Sequence, residues 1–381
     1  MRRGVAVGLG AVLLVGCGGS NGPPKGATLH VTPSTALVDA PAKIDVDGLG
    51  AGDRVMVTAT ATDGDGATWT GSESARADGR GDARLDAGIL LALMRPRGAA
   101  AVSYLHQEGV THVRLTASVD GRGAGHSAVD RTVVAPGVRD RHLTVARDGL
   151  AGDFFTSPNA RGTPVVAIGG SEGSVPTLQA AMLAAHGHPA LSLSYFHAPG
   201  LPHELVRIPL EYFQRALRWI SARTGAQRVG LVGISRGGEG VLIIGSHYPG
   251  LVSGVAAIVP GSEYFPSPTR RNVPAWTIGG RPPPLYKPIP VERIRGPVLT
   301  VSAGRDAVWP SGDYATEIQE RLRHSRFPHP DLRYAAAGHD VGFAVPYVPV
   351  ADRTQNGGTP VADAAARAAL WPRLLDFLDG L

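Results

Sequence analysis

Leu231-Val232-Gly233-Ile234-Ser235-Arg236-Gly237-Gly238-Glu239-Gly240 is the stretch whose reading decides the fold. It continues an apolar run that starts at Val229 and places a serine between two glycines in the order Gly-x-Ser-x-Gly. It then enters Val241-Leu242-Ile243-Ile244, which reads as one face of a helix. The reading is strand, sharp turn, helix. A serine at such a turn has a strained backbone, and the residues two before and two after it must be nearly free of side chain for strand and helix to approach. Gly233 and Gly237 meet that need. The hydroxyl of Ser235 then stands at the carboxyl end of the strand as a candidate nucleophile, with the N–H of Arg236 facing a developing oxyanion. The chain has 51 glycines, so the spacing carries weight only because a strand precedes it and a helix follows.

On such a framework the partners of the nucleophile follow in the order acid, then histidine, each just after a strand. Pro297 to Ser302 reads as a strand by its β-branched and apolar content and leads to Ala303-Gly304-Arg305-Asp306. Asp331 to Ala335 leads to Ala336-Ala337-Gly338-His339. Asp306 and His339 are the candidate acid and base. His324 and His329, in a polar connection with proline, and Asp313, at a helix start, do not fall at strand ends. Upstream, Thr163 to Ile168 reads as the first buried parallel strand, followed by the loop Gly169-Gly170-Ser171-Glu172-Gly173-Ser174 and a helix through His186. A glycine loop here donates the second oxyanion N–H, with Ser171 favoured and Glu172 next. Pro189 to Phe196 is a further strand, and Ile208 to Arg223 is an amphipathic helix with Leu210, Phe213, Leu217 and Ile220 on one face.

Strands alternating with helices of this length imply a mostly parallel, doubly wound sheet, the α/β-hydrolase class, over residues 137–381. Glu239, one turn beyond Ser235, reads as a buried structural carboxylate paired with an arginine. The segment Ser262 to Pro290, rich in proline and carrying Tyr264, Phe265, Trp276 and Tyr286, is long for a structureless loop and is expected to cap the pocket. Serine chemistry of this kind needs no metal and no cofactor.

The beginning of the chain has a different character. Met-Arg-Arg, an apolar run from Val5 to Val15 and then Gly16-Cys17-Gly18-Gly19-Ser20 read as a secretory leader, the run being about half of what crosses a bilayer. Residues 1–17 are expected to be a lipoprotein signal with Cys17 as the lipidated residue, and 18–26 a flexible tether. The protein is then held by lipid on the outer face of the cytoplasmic membrane of a bacterial envelope. Cys17 is the only cysteine, which excludes a disulfide framework in the mature chain. From Ala27 to about 136, short alternating segments separated by turns such as Gly48 to Gly52 and Asp63 to Gly66 read as a small all-β, immunoglobulin-like sandwich. The formal charge of +5 falls to +3 when Arg2 and Arg3 leave with the leader, and no Lys/Arg run exceeds two residues, so nucleic acid is excluded as a partner.

Several segments together resemble the acyl-CoA thioesterases and bile acid-CoA:amino acid N-acyltransferases. They are Ala27 to Gly52, Ile208 to Phe213, Val232 to Glu239, Ile294-x-Gly-Pro-Val-Leu with Gly304-x-Asp306-x-x-Trp309, Gly338-His339 followed by Pro346-Tyr347, and Gly357-Gly-Thr with Trp371-Pro372. The resemblance covers both domains and implies a β-sandwich followed by an α/β-hydrolase. In that family the elbow residue is serine in thioesterases and cysteine in the amide-forming acyltransferases, so Ser235 implies hydrolysis of an acyl-CoA or another acyl thioester or ester. Exported esterase or acyltransferase action on another lipophilic ester, and an inactive surface binding module, are the alternative expectations.

Overall fold

A computed structural model describes residues 26–98, 109–173, 176–351 and 354–381. The expected leader, Cys17 and all of the tether but its last residue lie outside the described residues. The N-terminal strands form two sheets. The smaller orders Thr28–Thr32, Lys43–Asp47 and Ala83–Asp86; the larger orders Thr35–Leu37, Arg122–Thr132, Val110–Val119, Arg54–Thr62, Thr68–Arg76 and Arg95–Pro96. Alternation explains the packing. In Arg54–Thr62 every second residue is buried, so Val55, Val57, Ala59 and Ala61 face inward. Those side chains meet Ile44, Val46 and Leu85 of the smaller sheet in one apolar core.

Two of these strands outrun their sequence signal. Thr68–Arg76 pairs along its whole length with Arg54–Thr62, and Arg122–Thr132 pairs with Val110–Val119. Gly71-Ser72-Glu73-Ser74 and Arg122-Gly-Ala-Gly-His-Ser127 have no apolar alternation to announce a strand. Backbone pairing with a well-patterned neighbour supplies what their side chains do not.

The second domain is built on eight strands, labelled here β1 (Arg139–Leu143), β2 (Ala151–Thr156), β3 (Val165–Ile168), β4 (Ala190–Ser194), β5 (Val229–Ile234), β6 (Val252–Ile258), β7 (Val298–Ala303) and β8 (Asp331–Tyr334). Their order is β1-β2-β4-β3-β5-β6-β7-β8. The first two pairings are antiparallel and the rest parallel. Residues of β3, β4, β6 and β7 are buried on both faces, as expected where helices cover a parallel sheet on both sides. Helices α2 (Leu210–Thr224), α3 (Arg236–His247) and α4 (Ser311–Leu322) contribute to one apolar core, and α1 (Thr177–Ala185) and α5 (Pro360–Asp379) to the other. This is the sheet of an α/β-hydrolase. Helix α2 begins at Leu210 rather than Ile208, because Ile208–Pro209 is taken up in a short parallel pairing with Trp276–Thr277. It buries Leu210, Phe213, Leu217 and Ile220 and ends at Gly225, whose φ of 74° is the left-handed cap that stops a helix.

Where the N-terminal sheets meet the α/β sheet, Val38 and Val133 pack into the core shared with α1 and α5, and a few polar contacts cross the junction. Asp39, only 7% exposed, accepts from Nε2 of His186 at 2.5 Å and from Nε1 of Trp371 at 2.8 Å through the same carboxylate oxygen. Arg95 donates to the carbonyl of Val350 at 2.9 Å. The hydrogen bond to Asp39 raises the His186 pKa above its ordinary 6.5, with burial opposing it. The resulting stabilisation is fully present below pH 6.5 and fades as pH rises through the folded-state pKa. Asp39→Asn is therefore expected to lower the unfolding midpoint more at about pH 5.5 than at about pH 8.5. Urea titrations at both pH values read the difference, and an equal loss at both overturns the assignment.

Candidate active site

Ser235 joins β5 to α3 with φ 57° and ψ −118°, a strained conformation for a residue with a side chain. The neighbours make it possible. A Cβ on Gly233 would lie 2.2 Å from the carbonyl oxygen of Gly237, and one on Gly237 would lie 2.4 Å from that of Gly169. Real Cβ atoms do not approach so closely, so both positions require glycine for strand, turn and loop to meet. The Ser235 N–H is tied to the carbonyl of Ile258 on the neighbouring strand at 2.9 Å.

His339 and Asp306 come together after β8 and β7. Nδ1 of His339 lies 2.8 Å from Oδ2 of Asp306, whose side chain is 1% exposed. Oδ1 of the same carboxylate accepts the N–H groups of Val308 at 3.0 Å and Trp309 at 3.3 Å. A carboxylate only accepts, so Nδ1 carries the proton and the neutral ring leaves Nε2 free as a base. His339 and Ser235 line one cavity of about 280 Å³. Gly169, Gly170, Ser171 and Glu172 line it as well, and a Cβ on Gly170 would sit 3.3 Å from Cβ of Ser235. Tyr195, buried beneath the loop, donates to the carbonyls of Gly169 at 2.8 Å and Gly170 at 3.3 Å. In a planar trans peptide N–H and C=O point in opposite directions, so these bonds turn the N–H groups of Gly170 and Ser171 away from Tyr195.

Arg236 is not among the residues that line the cavity. Its guanidinium turns to Oε2 of Glu239 at 2.6 Å and donates to the carbonyls of Phe265 at 3.2 Å and Pro266 at 3.0 Å. Oε1 of Glu239 accepts Nε1 of Trp276 at 2.9 Å and the N–H of Phe265 at 3.1 Å. Burial pushes the Glu239 carboxyl up to about 7, against the pull of the Arg236 charge and these two bonds. The segment 262–290 is thus fastened to α3 through Arg236 and Glu239. It was expected to cap the pocket, and none of its residues lines it. The apolar wall comes instead from Leu178, Val308, Phe343 and the run Val345, Val348 and Val350. The alternation of Val and Pro in Val345-Pro346-Tyr347-Val348-Pro349-Val350 is the sequence signal for that wall. His324, His329 and Asp313 do not line the cavity either.

A strap from residues 354–363 crosses behind both loops. The N–H of Gly358 donates to the carbonyl of Arg305 at 3.1 Å, and the N–H of Ala307 donates to that of Asn356 at 3.2 Å. Gly357 and Gly358, with φ of 77° and 66°, approach so closely that added Cβ atoms would lie 1.9 Å from Arg305 O and 2.2 Å from Gly338 N. Asn356 donates to Asp340 at 2.7 Å, and Asp363 accepts the N–H of Gly338, the residue before His339, at 2.6 Å. Burial pushes the Asp363 carboxyl up to about 6, with the Gly338 bond pulling it down.

Residues 208–269 and 284–380 match the family model described as BAAT / Acyl-CoA thioester hydrolase C terminal. The match runs from the start of α2 to the end of α5. The human mitochondrial acyl-coenzyme A thioesterase 2 is 27% identical over 407 aligned positions, which cover 92% of this chain and 83% of that protein. The rat acyl-coenzyme A amino acid N-acyltransferase 2 is 25% identical over 409 positions, 92% of this chain and 96% of the relative. Among solved structures, a dienelactone hydrolase from Anabaena variabilis aligns with a TM-score of 0.40 at 14% identity, over 63% of this chain and 97% of that one.

The strap makes a specific demand on the site. Asp363→Ala is expected to slow modification of Ser235 by a fluorophosphonate about tenfold or more, whereas Asp363→Asn, which keeps an oxygen acceptor for Gly338, stays near the wild-type rate. Stopped labelling assays resolve the two. Equal slowing in both variants assigns Asp363 to charge rather than to the hold on Gly338.

Proposed function

We propose that the protein is a serine hydrolase that cleaves an acyl thioester, with acyl-CoA as the leading substrate class, through an acyl-Ser235 intermediate. The observation that carries this reading is the 2.8 Å bond between His339 and Asp306 at the cavity that Ser235 also lines. In the proposed mechanism, Oγ of Ser235 attacks the acyl carbonyl carbon while Nε2 of His339 takes its proton. The oxyanion is held by the N–H of Arg236 and by the Gly170 and Ser171 peptides, with Glu172 the further candidate donor, each bond supplying about 3 kcal/mol. Collapse breaks the carbon–sulfur bond, and the departing thiolate takes the proton from the imidazolium. Water then attacks the acyl-serine, His339 again accepts a proton and returns it to Ser235, and the free acid leaves. Asp306 keeps the ring in the tautomer that both steps need and stabilises its cation.

Serine at the elbow supports hydrolysis over amide formation. Fluorophosphonate is expected to add to Ser235 of residues 27–381, located by intact and peptide mass, and both labelling and acyl-CoA hydrolysis are expected to vanish in Ser235→Ala, a loss of about a thousandfold or more. An adduct elsewhere, or a folded protein that neither labels nor hydrolyses, overturns the reading.

We further propose that Cys17 is lipidated and that the enzyme works on the outer face of the cytoplasmic membrane, on the strength of the basic, apolar and small-residue pattern of 1–20. The full-length chain is expected in the detergent-soluble membrane fraction with a lipid-sized mass increment on its N-terminal peptide. Cys17→Ser should lose both, and a membrane fraction that is unchanged in the variant overturns the anchor.

A further inference from the structure

Gln179 lies in the first turn of α1 and lines the cavity that holds Ser235 and His339. It is 2% exposed, and both its amide nitrogen and its amide oxygen are buried without a hydrogen-bond partner among the described residues. A buried amide without partners is costly, and native interiors rarely retain one without a use. Pro176 and Leu178, from the same turn, line the cavity too, so the amino end of α1 and its partial positive charge flank the same space. Around this polar patch the wall is apolar, formed by Val308, Phe343, Val345 and Val348. The cavity therefore offers an acyl chain hydrocarbon contacts and, at Gln179, an amide that can meet an oxygen.

We propose that this cavity selects an acyl group that carries a neutral oxygen function, a hydroxyl or an oxo group, away from the reacting carbonyl, and that the amide of Gln179 is the group that recognises it. This deepens the hydrolase reading above and rests on it. The ionisable groups that line the cavity decide against a carboxylate. Among the described residues that line it, the acidic side chains are Glu172 and Asp340 and the basic one is Arg367, with His339 a further titratable group. Nη1 of Arg367 donates to the carbonyl of Val348 at 3.0 Å, and its Nε is buried without a hydrogen-bond partner among the described residues. A neutral oxygen exchanges hydrogen bonds with an amide that both donates and accepts, and it brings no charge of its own beside the carboxyl groups of Glu172 and Asp340. Hydrocarbon chains of equal length would leave Gln179 without a partner, which is how a buried polar group discriminates between substrates.

The test uses matched acyl thioesters with a hydroxyl or oxo group moved stepwise along the chain, beside the plain chain and an ω-carboxylate of the same length. With the wild-type protein, kcat/KM is expected to be at least about tenfold higher for one oxygenated position than for the plain chain. In Gln179→Met that ratio should fall to near one. A plain chain preferred at every position, a preference that survives in Gln179→Met, or a preference confined to the carboxylate overturns the proposal. Binding of the same thioesters to Ser235→Ala, measured by calorimetry, separates this inference from the hydrolase reading. An oxygenated chain that binds about tenfold tighter supports the inference even if no thioester is turned over, and equal binding of both chains removes it whether or not the wild-type protein is active. The calorimetric arm also covers a Gln179→Met protein that fails to fold.

Discussion

The structure depends on how closely three pieces of backbone approach one another at the elbow. The turn at Ser235 sits with its flanking glycines against the carbonyls of residues 168–169 and of the first turn of α3. That approach holds a serine in a conformation it would not choose, and it brings the loop after β3 beside the hydroxyl. The strain is supported by the sheet. Five parallel pairings, from β4 and β3 through β5 and β6 to β8, fix the strand ends from which Ser235, Asp306 and His339 project. Residues at the carboxyl ends of such strands share one rim, so distant parts of the chain reach a common cavity.

Around that rim, two buried networks hold the loops. One runs from Arg236 and Glu239 to Trp276 and the backbone of 265–266, and Tyr195 stacks on Trp276 at 5.7 Å while its hydroxyl ties down Gly169 and Gly170. The residue after Ser235 and the loop opposite it are thereby braced through one aromatic cluster. Glu239 is fully buried and its partner nearly so, and such a pair earns its place through geometry rather than net stability. The other network is the strap of 354–363, which binds the acid loop by backbone bonds and the histidine loop through Asp363.

The N-terminal domain reaches the same cavity indirectly. Arg95 holds the carbonyl of Val350, a wall residue, and a Cβ on Gly88 would lie 2.5 Å from the ring of Tyr347. The wall run 345–350 is therefore pressed between the two domains. Asp39 completes the junction by accepting from His186 at the end of α1 and from Trp371 on α5.

Features that obey local rules were legible in the chain itself. Gly233 and Gly237 mark the elbow because close approach forbids a side chain there, and the apolar periodicity of 210–220 marks α2 because one face of a helix must be covered. Asp306 and His339 stand out because each follows a recognisable strand. What tertiary structure decided are relations between residues that no local pattern connects. Asp39 meets Trp371 across 332 positions, and Asp363 meets Gly338 across 25. The segment 262–290 has the length and aromatic content of a lid, and in the structure Arg236 and Glu239 bind it to α3 while Tyr264, Trp276 and Ile289 join the apolar core. Gln179 reads in the sequence as an ordinary polar residue early in a helix. Its burial, and the lack of a partner for its amide among the described residues, exist only once the sheet has closed the cavity around it, because hydrogen-bond satisfaction is a property of the packed chain and not of the residue.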